Sequence, residues 1–169
     1  MKSVVVYCGS SQSLNPIYRN VALDLGESLA RRKLNLVYGG GCTGLMGIVA
    51  DTVMSHGGTV TGFIPRAMAS REVAHYGITC LHIVDNMHQR KAMMLDMADA
   101  VIALPGGIGT LEEWAEAITW LSLGYHQKPC GLINYHGFYD PLLAQLQRMS
   151  DEGFLRKSWM KNILHADNP

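Results

Sequence analysis

The sequence predicts an α/β protein: one domain built as a doubly wound parallel sheet with helices on both faces. Three observations predict it. Short β-rich runs alternate with helix-length periodic segments along the chain, the pattern of repeated strand–helix–strand units. Most of these runs are continuously apolar rather than alternating, as expected of parallel strands covered on both sides. Glycine-rich turns leave two of the strands and open helices, at the edge where such sheets bind ligands.

The strand candidates are 3–8, 34–38, 59–64, 80–84, 100–104 and 129–134. The first helix is announced by Asn15-Pro16, an N-cap followed by Pro at the first helical position. Tyr18, Val21, Ala22, Leu25 and Leu29 then keep the spacing of one apolar face. A second helix spans about 44–56, with Leu45, Ile48, Val49 and Val53 inward, and Gly57-Gly58 stops it. A third covers about 87–98, where Met87, Met93, Met94 and Met97 read as core or a helix-packing face. A fourth opens at Thr110 and ends near Gly124, its Trp114 and Trp120 read as core or subunit interface; a fifth runs from near Phe138 to about Gly153. No linker or low-complexity tract divides the chain. Residues 1–169 are expected to form a single Rossmann-like, nucleotide-binding domain.

Composition narrows the partners. Fourteen basic residues balance fourteen acidic ones, so no global field would draw in nucleic acid or an anionic membrane. No stretch nears the ~20 apolar residues of a membrane span, and the chain opens on a strand-like run, Val4-Val5-Val6-Tyr7, without a signal-peptide pattern. Cys8, Cys42, Cys80 and Cys130 form no C-x-x-C pair and read as reduced thiols of a cytoplasmic protein. The seven histidines lack metal-ligand spacing, so no metal is expected.

The chemistry is sought at the strand ends. One loop reads Gly39-Gly40-Gly41-Cys42-Thr43-Gly44-Leu45-Met46-Gly47, the other Pro105-Gly106-Gly107-Ile108-Gly109-Thr110. Glycines there let the backbone approach an anion while amides of the following helix point at it. Cys8-Gly9-Ser10-Ser11 leaves the first strand and offers hydroxyl donors to the same crevice. Any one loop serves equally well as a plain tight turn, but three at one sheet edge point to a phosphate-bearing ligand. Gly39, Gly41 and Gly44 also satisfy G-x-G-x-x-G. Yet the next strand ends Phe63-Ile64-Pro65-Arg66, without the acid that would hold NAD ribose hydroxyls. Arg66 leaves an NADP oxidoreductase as one alternative.

Charged residues near these ends have two readings each. Arg90 and Lys91 fall in a helix's first turn, where the dipole disfavours cations; a phosphate partner explains them better than a solvated face. Thr110-x-x-Glu113 is a capping-box pattern that would make Glu113 structural, but the same position places its carboxylate beside any bound phosphosugar. Glu112 shares that ambiguity. Glu72 lies on a long loop, 65–79, long enough to cover the crevice.

Pro105-Gly106-Gly107-Ile108-Gly109-Thr110-Leu111-Glu112-Glu113 fits a PGGxGTxxE signature, and Met87-His88-Gln89-Arg90-Lys91 fits a companion M-x-x-R-K. Tyr38 and Gly44-Leu45-Met46-Gly47 agree as well. On these residues the chain resembles the LOG (LONELY GUY) family, the cytokinin riboside 5′-monophosphate phosphoribohydrolases, over nearly its whole length. Such proteins have often carried the label lysine decarboxylase, but nothing else here supports a pyridoxal-phosphate lysine. The resemblance implies hydrolysis of the N-glycosidic bond of a nucleoside 5′-monophosphate, with Arg90 and Glu113 as catalytic pair. It implies that Gly107, Ile108, Gly109, Thr110, Leu111 and Glu112, through to Glu113, hold the ribose phosphate, and that Glu72, Lys91 and Thr119 complete the substrate site. It further implies a homodimer with the site near the interface, no metal and no cofactor, and a further C-terminal helix in most members. A non-catalytic nucleotide or cofactor carrier of the same fold is the other alternative.

Overall fold

A computed structural model describes residues 1–69 and 74–169 of the chain. Seven strands form one sheet: β1 (Ser3–Tyr7), β2 (Asn35–Tyr38), β3 (Val60–Pro65), β4 (Cys80–Val84), β5 (Ala100–Ala103), β6 (Cys130–Ile133) and β7 (Ile163–Ala166). Their spatial order is β4-β3-β2-β1-β5-β6-β7, and every pair is parallel, Val5 lying between Val37 and Val101. The chain builds leftward from β1 to β4, then returns to the other side of β1 and builds rightward. The order therefore reverses between β1 and β5, the switch point where open α/β sheets bind ligands.

Side-chain alternation along β1 divides the core. Val4, Val6 and Cys8 face one layer with α1 (Tyr18–Arg31) and α2 (Gly44–Ser55). Val5 and Tyr7 face the other with α3 (Met87–Met97), α4 (Ile108–Ser122) and α5 (Asp140–Asp151). Helices thus cover both faces, as a right-handed crossover on each side requires. α1 and α2 approach closely at Gly26, where a Cβ would lie 2.6 Å from that of Thr52.

Local chemistry explains the helix starts. Asn15 forms a turn ahead of α1 rather than its N-cap: its Oδ1 accepts the Ile17 N–H at 3.1 Å and its carbonyl accepts that of Tyr18, while Ile17 is the N-cap and has no side-chain cap. Regular α-helix begins at Tyr18. α5 starts two residues later than the sequence suggests, at Asp140 with Pro141 just inside it. The intervening Tyr135–Gly137 forms a 3₁₀ turn, and Asn134 ties it off by accepting the Tyr139 N–H at 2.7 Å and donating to Asp140 at 2.8 Å. β7 is an addition to the expected strands. Only Ile163 of its four residues is buried, so this edge strand carries too little apolar signal to read from sequence.

The β3–β4 connection contains no helix among its described residues. Met68 and Ala69 turn back on the Pro65 carbonyl, and Ala74 bridges Gly41. Beside it the His75 N–H donates to the Gly40 carbonyl, and its ring pairs with Asp51 at 2.8 Å. Glu72, the candidate on this loop, lies outside the described residues. No described helix is long and apolar enough to cross a membrane.

Candidate active site

The loops after β1 and β5 meet at the switch point. Gly9 donates to the Pro105 carbonyl at 3.2 Å, and a Cβ at Gly106 would lie 3.0 Å from the Gly9 nitrogen. A cavity of about 210 Å³ opens beside this contact, walled by Cys8, Ser10, Arg90, Gly107, Gly109, Thr110 and Glu113 together with Met46, Met68 and Met87. An apolar neighbour of about 260 Å³ shares Gly9 and Gly107 with it and is lined by Leu14, Tyr18, Leu45 and Phe138. A larger cavity, about 460 Å³ between Trp120, Tyr125 and Lys128, lies where the strands begin, away from the glycine loops.

The helix that closes the polar cavity starts earlier than Thr110. Gly107 is the N-cap of α4, in extended conformation and without a side-chain cap, and the first helical bond runs from Leu111 N–H to the Gly107 carbonyl. The amides of Ile108, Gly109 and Thr110 therefore belong to the first turn, which has no intrahelical acceptor for them. This corrects the capping-box reading. Thr110 is the third helical residue; it is buried, and its hydroxyl packs where a Cβ on Gly106 would come within 2.2 Å. Glu113 consequently sits beyond the first turn and on the cavity wall, rather than in a capping box. A capping pair is present instead at α3: Asn86 accepts the Gln89 N–H at 2.9 Å while Gln89 accepts that of Asp85 at 2.8 Å.

The first glycine loop has a different task from the second. Its helix entrance is already engaged, since Leu45 N–H donates to the Gly9 carbonyl at 2.9 Å. Gly44 takes a φ of +61° and presses on Ser10, where a Cβ would lie 2.5 Å from the Ser10 carbonyl carbon. Gly39 makes room for Arg90, whose Nη2 donates to the Gly39 carbonyl at 2.9 Å. Of this loop and its helix entrance, Met46 reaches the polar cavity. The first loop thus seats Arg90 and the β1 loop, while Gly107, Gly109 and Thr110 of the β5 loop and its helix line the cavity themselves.

The sequence-derived candidates separate accordingly. Arg90, 4% exposed, and Glu113 share one wall with Gly107, Gly109 and Thr110. Ile108 is 82% exposed at the mouth, whereas Leu111 packs against the core. Lys91 and Glu112 are placed on the flank: Lys91 Nζ lies 2.5 Å from Glu112 and 3.1 Å from Glu116. Thr119 is exposed further along α4, its hydroxyl donating to the Ala115 carbonyl at 2.6 Å. The structure adds Cys8, Met46, Met68 and Met87 to the wall. The M-x-x-R-K pattern already held Met87, but a methionine at helical spacing reads as core. Burial, with Glu113 adding to it and Arg90 opposing, pushes the Cys8 thiol far above its ordinary range. Cys8 is a neutral wall rather than a nucleophile.

A doubly wound α/β protein with a helix start free of any side-chain cap, a buried arginine and a carboxylate at its switch point is the class these features define. The chain belongs to the LOG family. The family model described as "Possible lysine decarboxylase" matches residues 46–169. The chain is 46% identical over 164 residues to a cytokinin riboside 5′-monophosphate phosphoribohydrolase of Rhodococcoides fascians, covering 96% of this chain and 83% of that one. It is 47% identical over 167 residues to a protein of the same name from Arabidopsis thaliana, covering 99% and 77%. The fold is shared with the molybdenum cofactor binding protein of Rippkaea orientalis (TM-score 0.73, 22% identity, covering 100% of this chain and 91% of that one).

Proposed function

We propose that this protein hydrolyses the N-glycosidic bond of nucleoside 5′-monophosphates, cytokinin riboside 5′-monophosphate or AMP, to free base and ribose 5-phosphate. One observation carries the reading: Arg90 and Glu113 line the same cavity as the uncapped first turn of α4. That turn offers the 5′-phosphate amides and a favourable dipole. Held there, the sugar brings C1′ to the Glu113 carboxylate. As the C1′–N9 bond breaks, its electron pair leaves with the base and the ribosyl carbon becomes oxocarbenium-like. A carboxylate stabilises that cation and takes a proton from the water whose oxygen bonds to C1′, and a proton is returned to N9 of the departing base, so that the carboxylate is regenerated and one water is consumed. Arg90 holds the phosphate or assists the departing base. The base lies against Met46, Met68 and Met87, whose polarisable thioethers suit a flat aromatic surface.

The experiment is incubation with AMP and N6-isopentenyl-AMP, scoring free base. Glu113→Gln and Arg90→Ala are expected to lower turnover at least about 100-fold with folding intact. Wild-type release of adenine by Glu113→Gln overturns the assignment, and equal hydrolysis of adenosine and AMP overturns the phosphate clasp. Binding without any base release would leave a carrier. Glu72 and Thr119 rest on family likeness alone; alanine at either with KM for AMP unchanged removes it. A homodimer in the cytoplasm completes the proposal, and a monomer in sedimentation counts against it.

A further inference from the structure

Resting on that reading, we infer that Lys91 is a positioning residue: it clamps α3 to α4 through Glu112 and Glu116 and so keeps Arg90 and Glu113 on one cavity. Lys91 follows Arg90 on α3, and Glu112 precedes Glu113 on α4. Successive helical residues point about 100° apart. With Arg90 and Glu113 turned to the cavity, their sequence neighbours meet on the flank. The Lys91 ammonium sits 2.5 Å from Glu112 Oε1 and 3.1 Å from Glu116 Oε1, and its side chain is only 11% exposed. None of the three stands on the cavity wall.

The charge arrangement explains why a cation is needed there. Glu112 and Glu116 are four apart on one helix, a like-charge spacing that disfavours the helix unless a cation sits between them. Burial opposes the ammonium, but hydrogen bonds to the two carboxylates outweigh it and hold Lys91 above its ordinary range, charged. Two of its three donors are committed to those carboxylates. Further along the seam Met94 and Leu95 of α3 share an apolar cluster with Trp114 and Ala117 of α4. The ion pairs supply the link nearer the cavity, within one residue of each member of the catalytic pair.

The test is a set of variants assayed with AMP. Lys91→Met is expected to lower kcat about tenfold or more while KM moves less than about threefold. Lys91→Arg should keep most of the activity. The exchange of Lys91→Glu with Glu112→Lys, which preserves the three charges, should recover most of kcat. A rise in KM with kcat held and no recovery in the exchange would make Lys91 a substrate contact and overturn the inference. So would a lower Tm with both kinetic constants unchanged. A crystal structure gives a readout independent of turnover. In Lys91→Met the distance between the Arg90 guanidinium and the Glu113 carboxylate should change by about 1 Å or more, a displacement large enough to matter for catalysis, and should return in the exchange. Unchanged positions overturn the clamp. Should the wild type release no base, the hydrolase reading fails, while the crystal comparison still decides the role of Lys91.

Discussion

Gly39 and Arg90 occupy space that only a residue without a side chain can share. A Cβ at Gly39 would lie 1.9 Å from Arg90 Nη2, the same atom that donates to the Gly39 carbonyl at 2.9 Å. At Gly39 the glycine-rich stretch after β2 is therefore a seat for a buried guanidinium.

Gly39→Ala should consequently behave as an active-site variant. The guanidinium must shift by more than an ångström, and kcat/KM for AMP is expected to fall about 100-fold. Overpacking of this kind costs about 1–3 kcal/mol of stability, little enough for the fold to persist. Steady-state kinetics paired with a denaturant titration decide it. Normal turnover in the folded variant would show that Arg90 has no fixed seat.

The layout of the fold was legible because its parallel strands are continuous apolar runs and its helices carry caps or glycine stops. What escaped had weak or ambiguous signals. β7 buries one residue of four. The start of α4 was misread because Thr110-x-x-Glu113 matches a capping box, whereas Gly107 opens the helix three residues sooner. In the site, Arg90 and Glu113 were legible as charges next to glycine turns. That the two glycine loops divide the labour was not, since only packing distances reveal that Leu45 N–H is already used by Gly9. The methionine wall was hidden for the same reason: Met46, Met68 and Met87 come from three separate segments.

The cap on α3 offers a graded test of how firmly Arg90 is placed. Asn86 Oδ1 accepts the Gln89 N–H one residue before Arg90. Asn86→Ala should remove about 1 kcal/mol of stability, lowering Tm by about 2–4 °C in a protein this size. Scanning calorimetry reads the loss. A Tm equal to wild type would mean the cap is replaced by solvent at no cost.

The four free cysteines should divide into two classes. Cys42 and Cys80 are exposed, Cys8 and Cys130 buried. Burial raises the Cys8 thiol far beyond its usual range and lifts Cys130 to about 11, so both stay protonated at pH 8. Thiolate is the reactive form. Brief iodoacetamide treatment of the native protein, followed by peptide mass spectrometry, should find label on Cys42 and Cys80 alone. Rapid labelling of Cys8 would mean that the cavity wall opens to solvent and that its thiol is available to chemistry.

Met68 offers a test of base preference. Met46 is 6% exposed and belongs to the core, and Met87 places its sulfur 3.6 Å from Arg90, so changing either disturbs more than the base contact. Met68 is half-buried on the turn that closes on Pro65 and touches the cavity from outside both helices. Met68→Gln keeps the length but makes the wall polar. An apolar N6 substituent loses more from that change than a bare adenine does, because each buried methylene contributes about 0.8 kcal/mol. The ratio of kcat/KM for N6-isopentenyl-AMP over AMP should therefore drop by about tenfold, equivalent to two methylenes returned to a polar setting. An unchanged ratio would move the substituent elsewhere, and the apolar cavity of Leu14, Tyr18, Leu45 and Phe138, reached across Gly9 and Gly107, is where Tyr18→Ser should then show the loss.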